Sequence, residues 1–179
     1  GKNILFVIGD ETSFMGNFTM TGLPDINQTF MSFDAKELRT SKKGIEDIPL
    51  PPFNQRHFIS LPDNVSLFGD IRFKGNFTGF YNDFVSYGKF KTALGQISTD
   101  ISLKEDTMSG QPVYRGKFAC ADFNLGKFLE SEKYAGRISM NVNVDGKGLQ
   151  KENATTSVEG TVSSLELNGY NYQHIDLKG

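Results

Sequence analysis

The chain has 179 residues and a formal net charge of −2, from 19 Lys+Arg against 21 Asp+Glu. That length allows one domain with a sizeable core, and the balanced charge gives no basis for a nucleic-acid footprint or a polybasic membrane patch. The longest wholly apolar run, Ile4 to Ile8, falls far short of the roughly 20 residues of a membrane-spanning helix.

Two excesses are informative, 16 Phe and 19 Gly. Phenylalanine suits strands, and frequent glycine marks turns, bulges and crowded faces. Taken from the N-terminus, the clear period-2 segments are Phe14-Gly16-Phe18-Met20-Gly22 and Val65-Leu67-Gly69-Ile71-Phe73-Gly75-Phe77-Gly79. They continue with Ile97 to Leu103, Tyr114 to Cys120, Tyr134 to Val144 and Val158 to Val162. Such alternation gives each strand one apolar-plus-glycine face and one wet face; Arg72, Lys74 and Asn76 take the wet side. After Val162 the apolar phase slips to Leu165 and Leu167, which predicts a bulge around Ser163-Ser164.

Turn signals fall at Gly9-Asp10, Pro24-Asp25, Pro62-Asp63, Tyr81 to Asp83, Asp106 to Gly110, Asp145-Gly146 and Asn168-Gly169. Their spacing predicts ten to twelve strands joined as hairpins and meanders. Leu125, Phe128 and Leu129 stand at i, i+3, i+4 behind Asp122 and Asn124, so one short helix capped by either residue is expected there. Residues 41–53 end in Ile-Pro-Leu-Pro-Pro-Phe and read as a polyproline-like crossover. The expected division is therefore residues 1–57, N-terminal strands plus crossover, and 58–179, the main sheet. Gly16-Asn17-Phe18-Thr19 returns as Gly75-Asn76-Phe77-Thr78 and, loosely, at Gly88 and Gly116. The spacing is too irregular for a solenoid.

Candidate chemistry is sparse. Asn141, Asn143, Asp145, Gly146 and Glu152 copy the spacing of a calcium loop, but the flanks alternate like strands, and the simpler reading is the wet face of one strand. Gly110 and Gly116-Lys117 are spaced wrongly for a phosphate loop. No elbow motif sets a nucleophile beside His57 or His174, and Cys120 shares the apolar face of Phe118, where it reads as core. Five Asn-x-Ser/Thr sequons, at Asn17, Asn27, Asn64, Asn76 and Asn153, are what Asn- and Thr-rich wet faces generate. Asp106-Thr107-Met108 is similar to the acceptor that Bacteroidetes use for O-glycosylation. No catalytic residue, metal site or cofactor is assigned, and the chain reads as a non-enzyme.

Residues 67–80 (LFGDIRFKGNFTGF), 114–129 (YRGKFACADFNLGKFL), 136–149 (GRISMNVNVDGKGL) and 158–179 (VEGTVSSLELNGYNYQHIDLKG) resemble, in that order, the TamB (translocation and assembly module) proteins of the AsmA-like superfamily, in a Bacteroidetes-like style. The resemblance covers 58–179 well and the first 50 residues less clearly. It implies an excised internal piece of a long periplasmic protein anchored in the inner membrane, with the family's half-pipe, a long curved, mostly antiparallel β-taco sheet. It also implies a role in outer-membrane biogenesis, protein secretion and assembly, with phospholipid acyl chains and an outer-membrane β-barrel assembly partner as its partners. Separately, the exposed apolar face of an excised sheet invites self-association through its edges.

An apolar lane needs no specific site: at about 0.8 kcal/mol per methylene, a 16-carbon chain requires roughly 12 kcal/mol of shelter. The expected lining is Phe14, Phe18, Leu67, Ile71, Phe73, Phe77, Phe90, Ile138, Met140 and Val142, with glycines leaving room between the rings. Two alternatives stand beside this. The same alternating faces would pack on each other in a β-sandwich, and an extracellular adhesion or glycan-binding module would present Tyr81, Tyr87, Tyr170 and Tyr172.

Overall fold

The structure is a computed structural model that describes residues 1–50, 57–58, 61, 63–148 and 154–179. The chain is all-β and antiparallel, and it divides into two compact units, Gly1–Ala93 and Leu94–Gly179.

In the first unit β1 (Ile4–Ile8), β2 (Thr12–Thr21) and β3 (Phe30–Thr40) follow as antiparallel neighbours. Then come a short helix α1 (Lys42–Glu46), the two-residue strands β4 (Pro49–Leu50) and β5 (His57–Phe58), paired with each other, and a 3-10 helix (Asp63–Phe68). The chain returns to the sheet as β6 (Ile71–Phe80), antiparallel to β3, and closes the unit with β7 (Asp83–Thr92). The second unit holds β8 (Gly95–Glu105), β9 (Pro112–Asn124), the one-turn helix α2 (Leu125–Phe128), β10 (Ala135–Lys147), β11 (Thr155–Leu167) and β12 (Tyr170–Lys178), each strand antiparallel to the one before. Within each unit five strands form one linear, unclosed layer, so among the described residues neither unit is a sandwich of two large facing sheets.

Several expectations change. The sequence puts the division at 57/58, whereas the contacts put it at Ala93/Leu94; β3–β6 pairing across the crossover carries residues 1–48 into the same unit as β6 and β7. The segment Val65-Leu67-Gly69 is not strand. Ser66 Oγ donates to Asp63 O (2.6 Å), winding these residues into the 3-10 helix, and Gly69 releases the chain at φ +61.

Among the described residues there are two α-helices where one was expected. Ser41 caps α1 by accepting from Gly44 N (3.0 Å), and Lys42 pairs with Glu46 one turn on (3.1 Å); five residues are too few to show a helical period. The rest of the predicted polyproline-like stretch, 51–53, lies outside the described residues. Asp145-Gly146 is not a turn either: β10 runs through it, with Gly146 opposite Tyr114 on β9 and Thr156 on β11. The Tyr114 ring fills the place of the missing side chain, and its hydroxyl bonds Thr156 Oγ1 (2.6 Å), so the glycine stays extended.

Other expectations stand as read. The cap of α2 is Asn124, whose Oδ1 accepts from Lys127 N (2.9 Å). The predicted bulge is present: Met140 faces Val162 but Ser139 faces Ser164, leaving Ser163 as the extra residue. The Asp106 turn is tied down by side chains. Its carboxylate takes hydrogen bonds from Lys147 Nζ, Met108 N and Ser109 Oγ, which hold it well below the usual carboxylate range.

A carboxyl depressed in the fold stabilises above its unfolded value, about 3.9, and loses that contribution as pH falls through the folded value. Asp106→Asn is therefore expected to lower Tm at pH 7, and its gap to the parent chain to narrow progressively as pH falls below about 4 in a thermal melt series. A gap independent of pH would place the effect elsewhere.

Candidate functional site

The first unit gathers most of its phenylalanines on one face in rows that cross the strands. Register sets Phe6, Phe14, Leu38, Phe73 and Phe90 in one row. The next row is small: Gly16, Ala35, Gly75 and Gly88. Beyond it lie Phe18, Phe33, Phe77 and Ser86. The repeated Gly-Asn-Phe-Thr sequences thus sit on β2 and β6, the two neighbours of β3, in matching register, so glycine meets the small row and phenylalanine the ring row on both sides of β3.

Ring centroids lie 4.8 Å apart for Phe18–Phe33, 5.5 Å for Phe33–Phe77 and 4.7 Å for Phe77–Phe84, a ladder across four strands. In the other row Phe6–Phe14 and Phe73–Phe90 are 5.5 and 4.7 Å apart. Each such pair contributes about 0.5–1.5 kcal/mol beyond its area burial.

The small row is filled from the side. A Cβ on Gly88 would lie 2.2 Å from Phe73 Cε2, and one on Gly75 would lie 3.0 Å from Phe73 Cζ. Phe73 therefore leans across the glycines, and part of the room expected for a ligand is taken by the protein's own ring.

Between the rows remains an open hollow of about 360 Å³, lined by aromatic and aliphatic side chains and by Thr12 and Ser86. Both hydroxyls are engaged. Thr12 Oγ1 lies 2.8 Å from Thr40 Oγ1, and Ser86 Oγ donates to Asn76 O (3.1 Å). Among the described residues the lining carries no charged side chain. The hollow thus gives an occupant apolar contact and little to hydrogen-bond, which selects for an apolar occupant. At one end α1 closes over the sheet, with Gly44 packed on the Thr12–Thr40 pair; a Cβ there would lie 2.5 Å from Thr12 Oγ1.

Of the ten residues expected to form the lining, Phe14, Phe18, Phe73, Phe77 and Phe90 surround this hollow. Ile71 is buried at the α1 end, and Leu67 lies in the 3-10 helix, off the strands. Ile138, Met140 and Val142 belong to the second unit, where Ile138 and Val142 are buried core and Met140 is half-buried. Phe6, Phe33, Ala35, Leu38 and Ile48 line the hollow without having been among the residues expected there, and Phe33 and Leu38 lie on the central strand β3. Met31, Phe33 and Ala35 alternate, but a bulge at Lys36-Glu37 shifts the phase before Leu38 and breaks the run. On the opposite face Lys74 stands opposite Lys89 and Arg72 opposite Lys91, a local concentration of positive charge that the balanced totals conceal.

The remaining motifs take ordinary places. Asn141, Asn143 and Asp145 are on the exposed face of β10, and Asp145 accepts from Arg115 Nε (2.6 Å); Glu152 lies outside the described residues. Cys120 is buried beside Ile138 O, and burial pushes its thiol up. Among the described residues no group of His, Cys, Asp and Glu side chains is arranged to hold a metal. Comparison with known proteins finds no matching family model, no matching curated protein and no matching solved structure.

Gly88→Ala is expected to cost about 1–3 kcal/mol in urea unfolding, because the added methyl meets the Phe73 ring. In a Phe73→Leu background part of that cost disappears, leaving a coupling of about 0.5–3 kcal/mol. Purely additive effects would show that the ring does not fill the glycine row.

Proposed function

We propose that the chain is a non-catalytic β-groove that shelters lipid acyl chains. The observation that carries this reading is the phenylalanine-lined hollow of the first unit, open to solvent and with its hydroxyls already bonded within the fold. Five strands at about 4.8 Å spacing make a lane of about 19 Å across the first unit, a length suited to one extended acyl chain. Water is expelled from the rings when a chain lies along them, and each sheltered methylene contributes about 0.8 kcal/mol. Such binding is graded by chain length and indifferent to chemical detail, which suits carriage better than recognition.

On this reading the resemblance to TamB and AsmA-like proteins has a physical counterpart. The role we propose is transfer of phospholipid between inner and outer membrane from a periplasmic, membrane-anchored protein, alongside an outer-membrane β-barrel assembly partner. A second reading, a glycan-binding module, is favoured by one observation: Tyr81, Tyr87, Tyr170 and Tyr172 are all exposed. Tyr170 also borders, with Tyr134 and Glu166, a polar cleft of about 330 Å³ in the second unit.

The test is photo-crosslinking of the purified chain with phospholipid vesicles, using p-benzoylphenylalanine at Phe77 or, separately, at Lys74 on the opposite face. Lipid adducts are expected at Phe77 and not at Lys74. Adducts at neither position in a folded protein would overturn the proposal, and saturable glycan binding in that case would favour the second reading.

A further inference from the structure

We propose that the hollow is a slot selective for unbranched acyl chains, and that Ile48 is the residue that sets this selectivity. The inference rests on the acyl-chain reading of the same hollow. Among the described lining residues, Ile48 alone does not belong to β1, β2, β3, β6 or β7. A single sheet face offers an occupant only a floor. Ile48, half-buried between α1 and β4, adds a second side.

The anchoring of α1 holds Ile48 in place. Ser41 Oγ donates to Glu11 Oε2, and Gly44 packs on the Thr12–Thr40 pair. Glu46 Oε1 accepts from Leu61 N (3.0 Å), while Lys42 bridges Glu46 (3.1 Å) and Asp63 (3.6 Å). The helix is thus tied both to the sheet and to the 3-10 helix. Ile48 N then donates to Ile45 O (3.1 Å) as the chain leaves α1. Away from α1 the hollow is bounded by the Phe18–Phe33–Phe77 ladder, whose rings contact one another without a gap. Phe18 stands four residues beyond Phe14 on β2, about 13 Å along the strand, and Phe73 leans over the glycine row into that interval. A straight chain lies in the space that remains. A methyl branch adds width at a fixed point, and it has to displace Phe73 from the floor or Ile48 from the side, which costs as overpacking does.

Branching separates width from hydrophobicity. Lauric acid and 3,7,11-trimethyldodecanoic acid share one backbone length, and the second carries extra methyl groups. On an unwalled apolar face each added carbon tightens binding about fourfold, so the branched acid would be the better ligand. Isothermal titration calorimetry of the purified chain is expected to show the reverse, with lauric acid bound more tightly. Ile48→Ala is expected to move the ratio of the two dissociation constants about tenfold in favour of the branched acid. Ile48→Phe is expected to move it the other way, and it keeps the test decisive if the smaller side chain loosens the fold. A parent chain that prefers the branched acid, or a ratio unchanged by either substitution, would overturn the proposal while lauric acid binding left the groove reading intact. Binding of neither acid would overturn the groove reading and this inference with it.

Discussion

The first unit depends on a steric constraint: one row of its sheet must stay small so that the rows on either side can hold rings. Gly16, Gly75 and Gly88 cannot carry a side chain without meeting either backbone or Phe73; a Cβ on Gly16 would lie 2.0 Å from Asp34 O. With that row kept low, Phe73 folds over it and the Phe18–Phe33–Phe77 ladder stands beside it at ring-contact distances. The unit then has an apolar face whose rings touch each other across strands yet leave a hollow between rows. Larger residues in the glycine row would push the rings outward and close that space.

Much of this was legible because the sheet repeats its own solution. Gly16-Asn17-Phe18 and Gly75-Asn76-Phe77 announce strands with glycine next to phenylalanine on one face, and they flank β3 in matching register. The Asn124 cap and the Ser163 bulge were also readable, one from a helical spacing and the other from a phase slip. What failed did so for three separate physical reasons. Leu67 continues the alternation of β6 in sequence, but the Ser66–Asp63 hydrogen bond winds it into a 3-10 helix. Asp145-Gly146 has turn chemistry, yet Tyr114 from the neighbouring strand holds it in β10. Phe33, at the centre of the ladder, escaped notice because the Lys36-Glu37 bulge breaks the period of β3.

The two units share a device at the strand ends. In each, a short capped helix follows a long strand and packs through a glycine: Gly44 of α1 on the Thr12–Thr40 pair, and Gly126 of α2 against the Ala135 carbonyl. Their apolar faces nevertheless differ. The rows of the second unit run through Ile97, Cys120, Met140, Val162 and Ile175, and through Thr99, Phe118, Val142, Gly160 and Leu177. Aliphatic side chains dominate there, and Cys120, Val142 and Val162 are buried.

The central claim is that the phenylalanine hollow takes an acyl chain. The most direct measurement is a titration of the chain, carrying carbon-13-labelled phenylalanine, with lauric acid, followed through the aromatic NMR signals. Phe30 and Phe80 form a ring pair at 5.7 Å on the opposite face and serve as the internal control. The account predicts saturable shifts at Phe18, Phe33, Phe77 and Phe90, with Phe30 and Phe80 unmoved. No shifts, or equal shifts on both faces, would contradict it.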